Sequence, residues 1–217
     1  MSIEIREATL DDALALREYA LALFAERLPG IFRRDGLTLE QEIAFLKPQV
    51  EQDNAVMFVA LDGDRVVGNI GFVGGTLAEV AHTGEFGISL ANGYRGQGIG
   101  TRLIHALEEW APAHGVTRIQ AQAWETNPGG LRLYERLGYE REGLMRRGVM
   151  VDGRAVDVHL LAKLLGRRSR DAAVPPCSTL VRRGRRRPHP RNHRTRSVLP
   201  WPSTPSPSSP AMASDPS

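Results

Sequence analysis

Apolar and polar positions along this chain follow two different periods, and the changes of period divide it into elements. Ser2 to Thr9 alternates as a short strand does. Thr9-Leu10-Asp11-Asp12 then presents a threonine cap followed three residues later by an acid, the start signal of a helix. Leu10, Leu14, Leu21, Phe24 and Leu28 recur at separations of three, four and seven, which predicts a helix to about Arg27 with that stripe turned inward. Leu28 to Leu37 carries Pro29, Gly30 and Gly36 and reads as a loop bearing the pair Arg33 and Arg34. Thr38-Leu39-Glu40-Gln41 is a second capping box, opening a helix that Pro48 is expected to kink or shorten.

The period then becomes two. Val56 to Leu61 and Val66 to Val73 flank Asp62-Gly63-Asp64-Arg65, whose Asp-Gly pair tolerates the positive φ of a tight hairpin turn. A second hairpin runs from Tyr139 to Val151 and from Arg154 to Leu164 about Asp152-Gly153. Between the hairpins come a strand from Gly84 to Ala91, a glycine-rich loop, a helix from Thr101 to His114, a strand from Thr117 to Glu125 and a helix from Pro128 to Leu137. Seven strands and four helices in this order, with hairpins at both ends and one crossover helix in the middle, predict an α+β (mixed α/β) domain on a mixed, mainly antiparallel sheet.

Composition changes the picture beyond Leu165. Residues 1–166 hold 17 Lys+Arg against 23 Asp+Glu, net −6, whereas residues 167–217 hold 11 Arg against 2 Asp, net +9. Four prolines precede Gly166 and ten follow it, a density that blocks regular helix or sheet. The expectation is one domain over residues 1–166 and a disordered Arg/Pro/Ser-rich tail over 167–217. The break is as abrupt as an altered reading frame would make it. The run Arg182-Arg183-Gly184-Arg185-Arg186-Arg187 suits salt-sensitive contact with nucleic acid, but no aromatic residue interleaves it before Trp201, so a solvated extension is the default.

No window reaches the roughly 18 apolar residues of a membrane-spanning helix. Glu4, Arg6 and Glu7 stand where a secretory signal would be apolar. The one cysteine, Cys177, falls in the tail, so the domain has neither an internal disulfide nor a thiolate metal site; a cytoplasmic setting is expected. His82, His105, His114 and His159 lack metal-ligand spacing and read as surface or capping residues, and no metal is expected.

Candidate chemistry centres on Tyr94-Arg95-Gly96-Gln97-Gly98-Ile99-Gly100, a loop between a strand and a helix. Unpaired amides and the positive end of the helix dipole favour a phosphate there, and glycine lets the backbone approach it. A P-loop requires Gly-Lys-Ser/Thr, but Gly100 is followed by Thr101 and Arg102. A dinucleotide fingerprint requires G-x-G-x-x-G and a later acid, but the loop is G-x-G-x-G with Gln120 and Gln122 downstream.

What remains, R-x-x-G-x-G after a strand, resembles motif A of the GNAT N-acetyltransferase superfamily. Asn127 through Gly130, Leu131, Leu133, Tyr134, Leu137, Gly138 and Tyr139 resembles its motif B. The resemblance covers residues 3–165. It implies a central splayed pair of parallel strands and acetyl-CoA as co-substrate, its pyrophosphate on the main chain of Arg95, Gly96, Gln97, Gly98, Ile99 and Gly100. It further implies that the free main chain of Ile88, Ser89 and Leu90 pairs with the pantetheine arm, that Asn127 touches the cofactor, and that the Tyr134 phenol lies at the thioester and protonates the departing thiolate. Asn127 before Pro128 is equally a plain helix cap, and Tyr134 at helical spacing from Leu131 and Leu137 equally a core residue. An amine acceptor must lose a proton, for which Glu85 and Glu125 are the candidate bases. Ribosomal-protein acetyltransferases of the superfamily usually carry Glu five residues before the motif B Asn; here that residue is Gln122.

The reading is direct transfer from acetyl-CoA to the primary amine of a small molecule, with no cysteine nucleophile in the domain. A protein or peptide amine is the alternative acceptor. A CoA-binding regulatory module that touches nucleic acid through its tail is the alternative of another class. Relatives build the acceptor pocket from the segments corresponding to residues 24–40, which include Arg33 and Arg34, and 139–157. Relatives also often form homodimers.

Overall fold

The computed structural model describes residues 2–34 and 36–166. Seven strands, β1 (Ile3–Glu7), β2 (Ala55–Asp62), β3 (Arg65–Gly74), β4 (Thr83–Leu90), β5 (Arg118–Trp124), β6 (Glu140–Val151) and β7 (Arg154–Leu164), form one sheet. Four helices accompany them: α1 (Ala13–Ala25), α2 (Leu39–Glu51), α3 (Ile99–Trp110) and α4 (Pro128–Arg136). The strand order is β1-β2-β3-β4-β5-β7-β6, and every neighbouring pair is antiparallel except β4 with β5. The element order is the one the changes of period predict. The tail, its arginine run and Cys177 lie outside the described residues, among which no helix is long and apolar enough to cross a membrane.

β2 is buried on both faces, as its unbroken apolar run Ala55 to Leu61 requires. Alternation turns Val56, Phe58 and Ala60 toward α3, where Leu103, Ile104 and Leu107 are fully buried. It turns Met57, Val59 and Leu61 toward α1, with Leu16, Tyr19 and Leu23. The sheet is thus the middle layer between α1 and α2 on one face and α3 and α4 on the other.

Two local expectations change. In α1 the buried positions are Ala13, Leu16, Tyr19 and Leu23, while Leu10 is 39% and Leu14 53% exposed. ALALREYALALFA is apolar on nearly every side, so spacing cannot choose the stripe; the sheet chooses it by accepting Tyr19, whose hydroxyl hydrogen-bonds Ser89 Oγ at 2.8 Å. Pro48 sits inside α2, which continues to Glu51. Its missing N–H deprives the Ala44 carbonyl of its helical donor, one bond whose loss does not end the helix.

The start of α1 is pinned electrostatically. Arg6 grips Asp12 through two hydrogen bonds of 2.7 and 2.8 Å, and the Thr9 amide donates to the same carboxylate at 2.8 Å. Chiefly through Arg6, and against the opposing effect of burial, the Asp12 pKa falls to about 2. A carboxylate depressed on folding stabilises the fold above its unfolded pKa, near ~4, and loses that contribution as pH falls through about 2. Asp12→Asn is therefore expected to cost about 1–2 kcal/mol at pH 7, a figure reduced for the exposure of Arg6. Urea melts should show the gap between variant and parent closing between pH 4 and 2.

Candidate active site

β4 and β5 pair over four residues only, Thr83–Phe86 with Arg118–Ala121. Beyond Phe86 and Ala121 the two strands run on without pairing to each other, β4 held by β3 and β5 by β7. The register fixes which groups face this gap. Ala91 N–H bonds Val67 O and Gly75 N–H bonds Thr83 O, both at 2.9 Å, so odd-numbered residues of β4 exchange hydrogen bonds with β3 and even-numbered ones turn their main chain the other way. Ile88 and Leu90 present main-chain groups to the gap. Ser89 does not: its amide and carbonyl belong to the β3 ladder, and its hydroxyl lies in a chain from Tyr19 to Asn69 Oδ1, 2.7 Å away. The grouping of Ser89 with its neighbours is corrected accordingly.

The loop at the end of β4 turns left-handed at Gly93, φ 82°, and then through two further left-handed glycines, Gly96 at φ 75° and Gly98 at φ 78°. Gly98 is the N-cap of α3, and no side chain caps that helix. A Cβ at either glycine would meet nothing within 4 Å, so conformation rather than crowding demands glycine, and the space above them is open to a phosphate. Gly100 differs, since a Cβ there would make ordinary contacts with Leu133, Leu90 and Ile88. Ile99 is core, 2% exposed. Two side chains brace the loop: Arg95 donates to Leu90 O at 2.9 Å and to Glu26 at 2.6 Å, and Gln97 donates to Gly93 O. These bonds tie the Arg95 and Gln97 side chains to the end of β4, to Glu26 and to the loop itself.

The two faces of the sheet bring different chemistry to the gap. Phe86, Ile88 and Leu90 point to the α3/α4 face, where Tyr134 of α4 packs edge-on against Phe86 at 5.4 Å. Tyr134 is 7% exposed, and its hydroxyl has no hydrogen-bond partner among the described residues. Burial, with a smaller contribution from the Glu85 charge, pushes its pKa up to about 12. Glu85 lies on the opposite face, where Gln122 of β5 donates to its carboxylate at 3.0 Å. Solvent reaches Glu85 from the open side, yet the protein packed around it desolvates the carboxylate and raises its pKa, against the lowering effect of the Gln122 bond. Glu125 is exposed past the end of β5, its amide bound to Asp157 O. Asn127 caps α4, accepting from the Gly130 amide at 3.0 Å.

A cavity of about 530 Å³ opens beside this face, between the α1–α2 connection and the turn of the β6–β7 hairpin. Its floor is Trp124, with the Phe32 ring edge-on at 5.1 Å. Nothing local in sequence links Phe32 to Trp124, and neither was singled out. Arg33 bridges the mouth to Asp152 at 3.2 Å, whereas Arg34 turns away and stacks over Phe45 at 4.6 Å. The described non-glycine residues with positive φ are Arg27, Arg147 and Asp152, and all three line or border this cavity. Such a conformation costs about 1–2 kcal/mol per residue, and it concentrates where side chains are put to use. Among the described residues no three His, Cys, Asp or Glu side chains gather as a metal site would require.

Residues 18–139 match the model of the Acetyltransferase (GNAT) family, which is more than half of the chain. The protein belongs to the GNAT acetyltransferase family. A 66-residue stretch is 33% identical to YobR of Bacillus subtilis, an uncharacterized N-acetyltransferase; the match spans 30% of this chain and 27% of that relative's length. Among solved structures, the GNAT acetyltransferase of Streptococcus pneumoniae is similar at 29% identity and a TM-score of 0.71, over 75% of this chain and 99% of that one. The ribosomal-protein-alanine N-acetyltransferase of Brucella melitensis is similar at 26% identity and a TM-score of 0.68, with the same coverage. The yncA protein of Salmonella typhimurium, solved with its cofactor acetyl-CoA, shares the fold at 20% identity and a TM-score of 0.71, over 82% of this chain and all of that one. Acetyl-CoA is the co-substrate of the GNAT family, and the splayed strands with the left-handed glycine loop fit an extended arm ending in a pyrophosphate.

Proposed function

We propose that this GNAT protein transfers acetyl from acetyl-CoA directly to the primary amine of a small molecule. The observation that carries the proposal is the short β4–β5 pairing, which leaves Ile88 and Leu90 main-chain groups facing a gap that leads to the open amides of Gly96 and Gly98. The co-substrate supplies an activated acyl thioester; this chain's residues bind it, polarise it and move protons. The Leu90 N–H faces the gap, where it can stabilise charge developing on the thioester oxygen. The Leu90 carbonyl, in the following peptide unit, accepts from Arg95, which ties down the end of the strand.

Glu85 takes the amine's proton, and its raised pKa makes it a stronger base than an ordinary carboxylate. In this site Glu85 stands in for the missing acid at Gln122, since its carboxylate reaches that side chain from the neighbouring strand. Tyr134 donates to the departing sulfur. A phenol at about 12 facing a thiolate near ~8.5 is a reluctant acid, uphill by about 5 kcal/mol. Part of that elevation comes from the Glu85 charge, which disappears when Glu85 is protonated. Proton uptake on one face of the sheet thereby sharpens the acid on the other.

A small acceptor is favoured over a protein because the cavity over Trp124, two residues along β5 from the Gln122 that holds Glu85, is about 530 Å³, the size of a small-molecule site. The Brucella neighbour supports the protein-amine alternative by its name, but Gln122 departs from that group's pattern. Titration calorimetry with acetyl-CoA, followed by thiol release with a panel of amines, tests the proposal. Saturable heat and amine-dependent release are expected; a folded protein that takes up neither CoA nor acetyl-CoA overturns it.

A further inference from the structure

The cavity between the α1–α2 connection and the β6–β7 turn is apolar below and cationic above. Phe32 and Met150 are each 68% exposed, a large uncovered apolar area on one small concavity. Its charged lining is Arg27, Arg33 and Asp152, an excess of one positive charge. Arg33 already has a partner, though a loose one, since Asp152 is 69% exposed. Arg27 has no ion pair among the described residues, and it occupies the left-handed position after α1 where glycine is the favoured residue. Keeping an arginine there at a conformational cost makes sense if the guanidinium is used.

The opposite charge lies inward. Trp124 and Gln122 point to one face of β5 and stand two residues apart, about 7 Å, and Gln122 holds Glu85. From the gap outward the order is carboxylate, aromatic floor, arginines.

We infer that the acceptor is a primary amine carried at one end of an apolar or aromatic body whose other end bears a carboxylate. The ammonium enters toward Glu85, the body lies on Trp124 and Phe32, and the carboxylate is taken by Arg27 with Arg33, which exchanges Asp152 for it. Polyamines and lysine-rich peptides, which would place a second cation against two arginines, are poor acceptors. This inference rests on the acetyltransferase reading above, and its test separates the two.

The test uses a matched pair, 4-(aminomethyl)benzoate and benzylamine, with 6-aminohexanoate and hexylamine as an aliphatic pair. In the parent protein kcat/KM for each carboxylate-bearing amine is expected to exceed that of its neutral partner at least tenfold, the usual effect of a charge-assisted bond. In Arg27→Gly the ratio falls below about threefold while the thermal midpoint stays level or rises, because glycine suits the backbone better. Arg33→Met lowers the ratio in the same direction. A purely structural arginine would move the midpoint and leave the ratio alone. Equal use of both members, a preference for the neutral amine or for spermidine, or an unchanged ratio in Arg27→Gly each overturns the inference. Titrating the same pair into the free and the CoA-saturated protein reads the preference without turnover: failure of CoA to bind sinks the acetyltransferase reading, whereas absent or charge-blind binding of the pair sinks this one.

Discussion

Replacing Tyr134 with phenylalanine is expected to lower kcat by 10- to 100-fold while leaving KM for acetyl-CoA within about twofold and the thermal midpoint no lower. The asymmetry follows from what the hydroxyl does in the resting fold. The ring is buried, and its edge-on contact with Phe86 survives in phenylalanine. The hydroxyl has no hydrogen-bond partner among the described residues, so its removal leaves no protein group unsatisfied. On the proposed mechanism, what is lost is the donor that meets the developing thiolate. Stopped-flow thiol release beside calorimetric melting reads both quantities; an unchanged kcat would remove Tyr134 from the chemistry and return it to the core. With its pKa near 12, the tyrosine keeps its proton through ordinary assay pH, so it should contribute no alkaline decline below about pH 11.

Glu85→Gln is expected to cost more, on the order of 10²–10³ in kcat/KM, within the range of general-base contributions. The pH dependence carries the signature. In the proposed role the active form is the carboxylate, and desolvation raises its pKa. The parent's rate should therefore fall with acid through a limb displaced above the ordinary carboxylate range of about 4.3. In Glu85→Gln that limb vanishes, and the deficit narrows at high pH as free amine accumulates. Gln122 provides a control of opposite kind. Its amide stabilises the charged form of Glu85 at 3.0 Å, so Gln122→Ala should move the limb to still higher pH without abolishing activity. A profile that ignores both substitutions would place the base elsewhere.

Much of the architecture was legible because it is written in side chains. The switch from helical spacing to an unbroken apolar run at Val56 marks the sheet, the two Asp-Gly turns mark the hairpins, and the glycines at 96 and 98 mark the loop before α3 by a conformation other residues resist. The stripe of α1 was not legible, because a helix apolar on most sides leaves the choice to its neighbours. Ser89 illustrates a different limit. Whether an amide faces a partner strand or a gap depends on ladder parity, which shifts with any bulge and leaves no trace in residue type. Arg33 and Arg34 were one charged pair in sequence and are two unrelated contacts in space. The cavity floor joins residues 92 positions apart, Phe32 and Trp124, and only the assembled fold brings them together.

The four-residue junction between β4 and β5 has a thermodynamic corollary. An arm lying in the cleft would act as a removable cross-link between a four-stranded and a three-stranded half, so the apo protein is held at its weakest seam by few bonds. Because a ligand that binds only the native state adds RT ln(1 + [L]/Kd), a hundredfold excess over Kd is worth about 2.7 kcal/mol. The lifetime of this chain in a cell would then follow the supply of its own acyl donor, falling when that metabolite runs short.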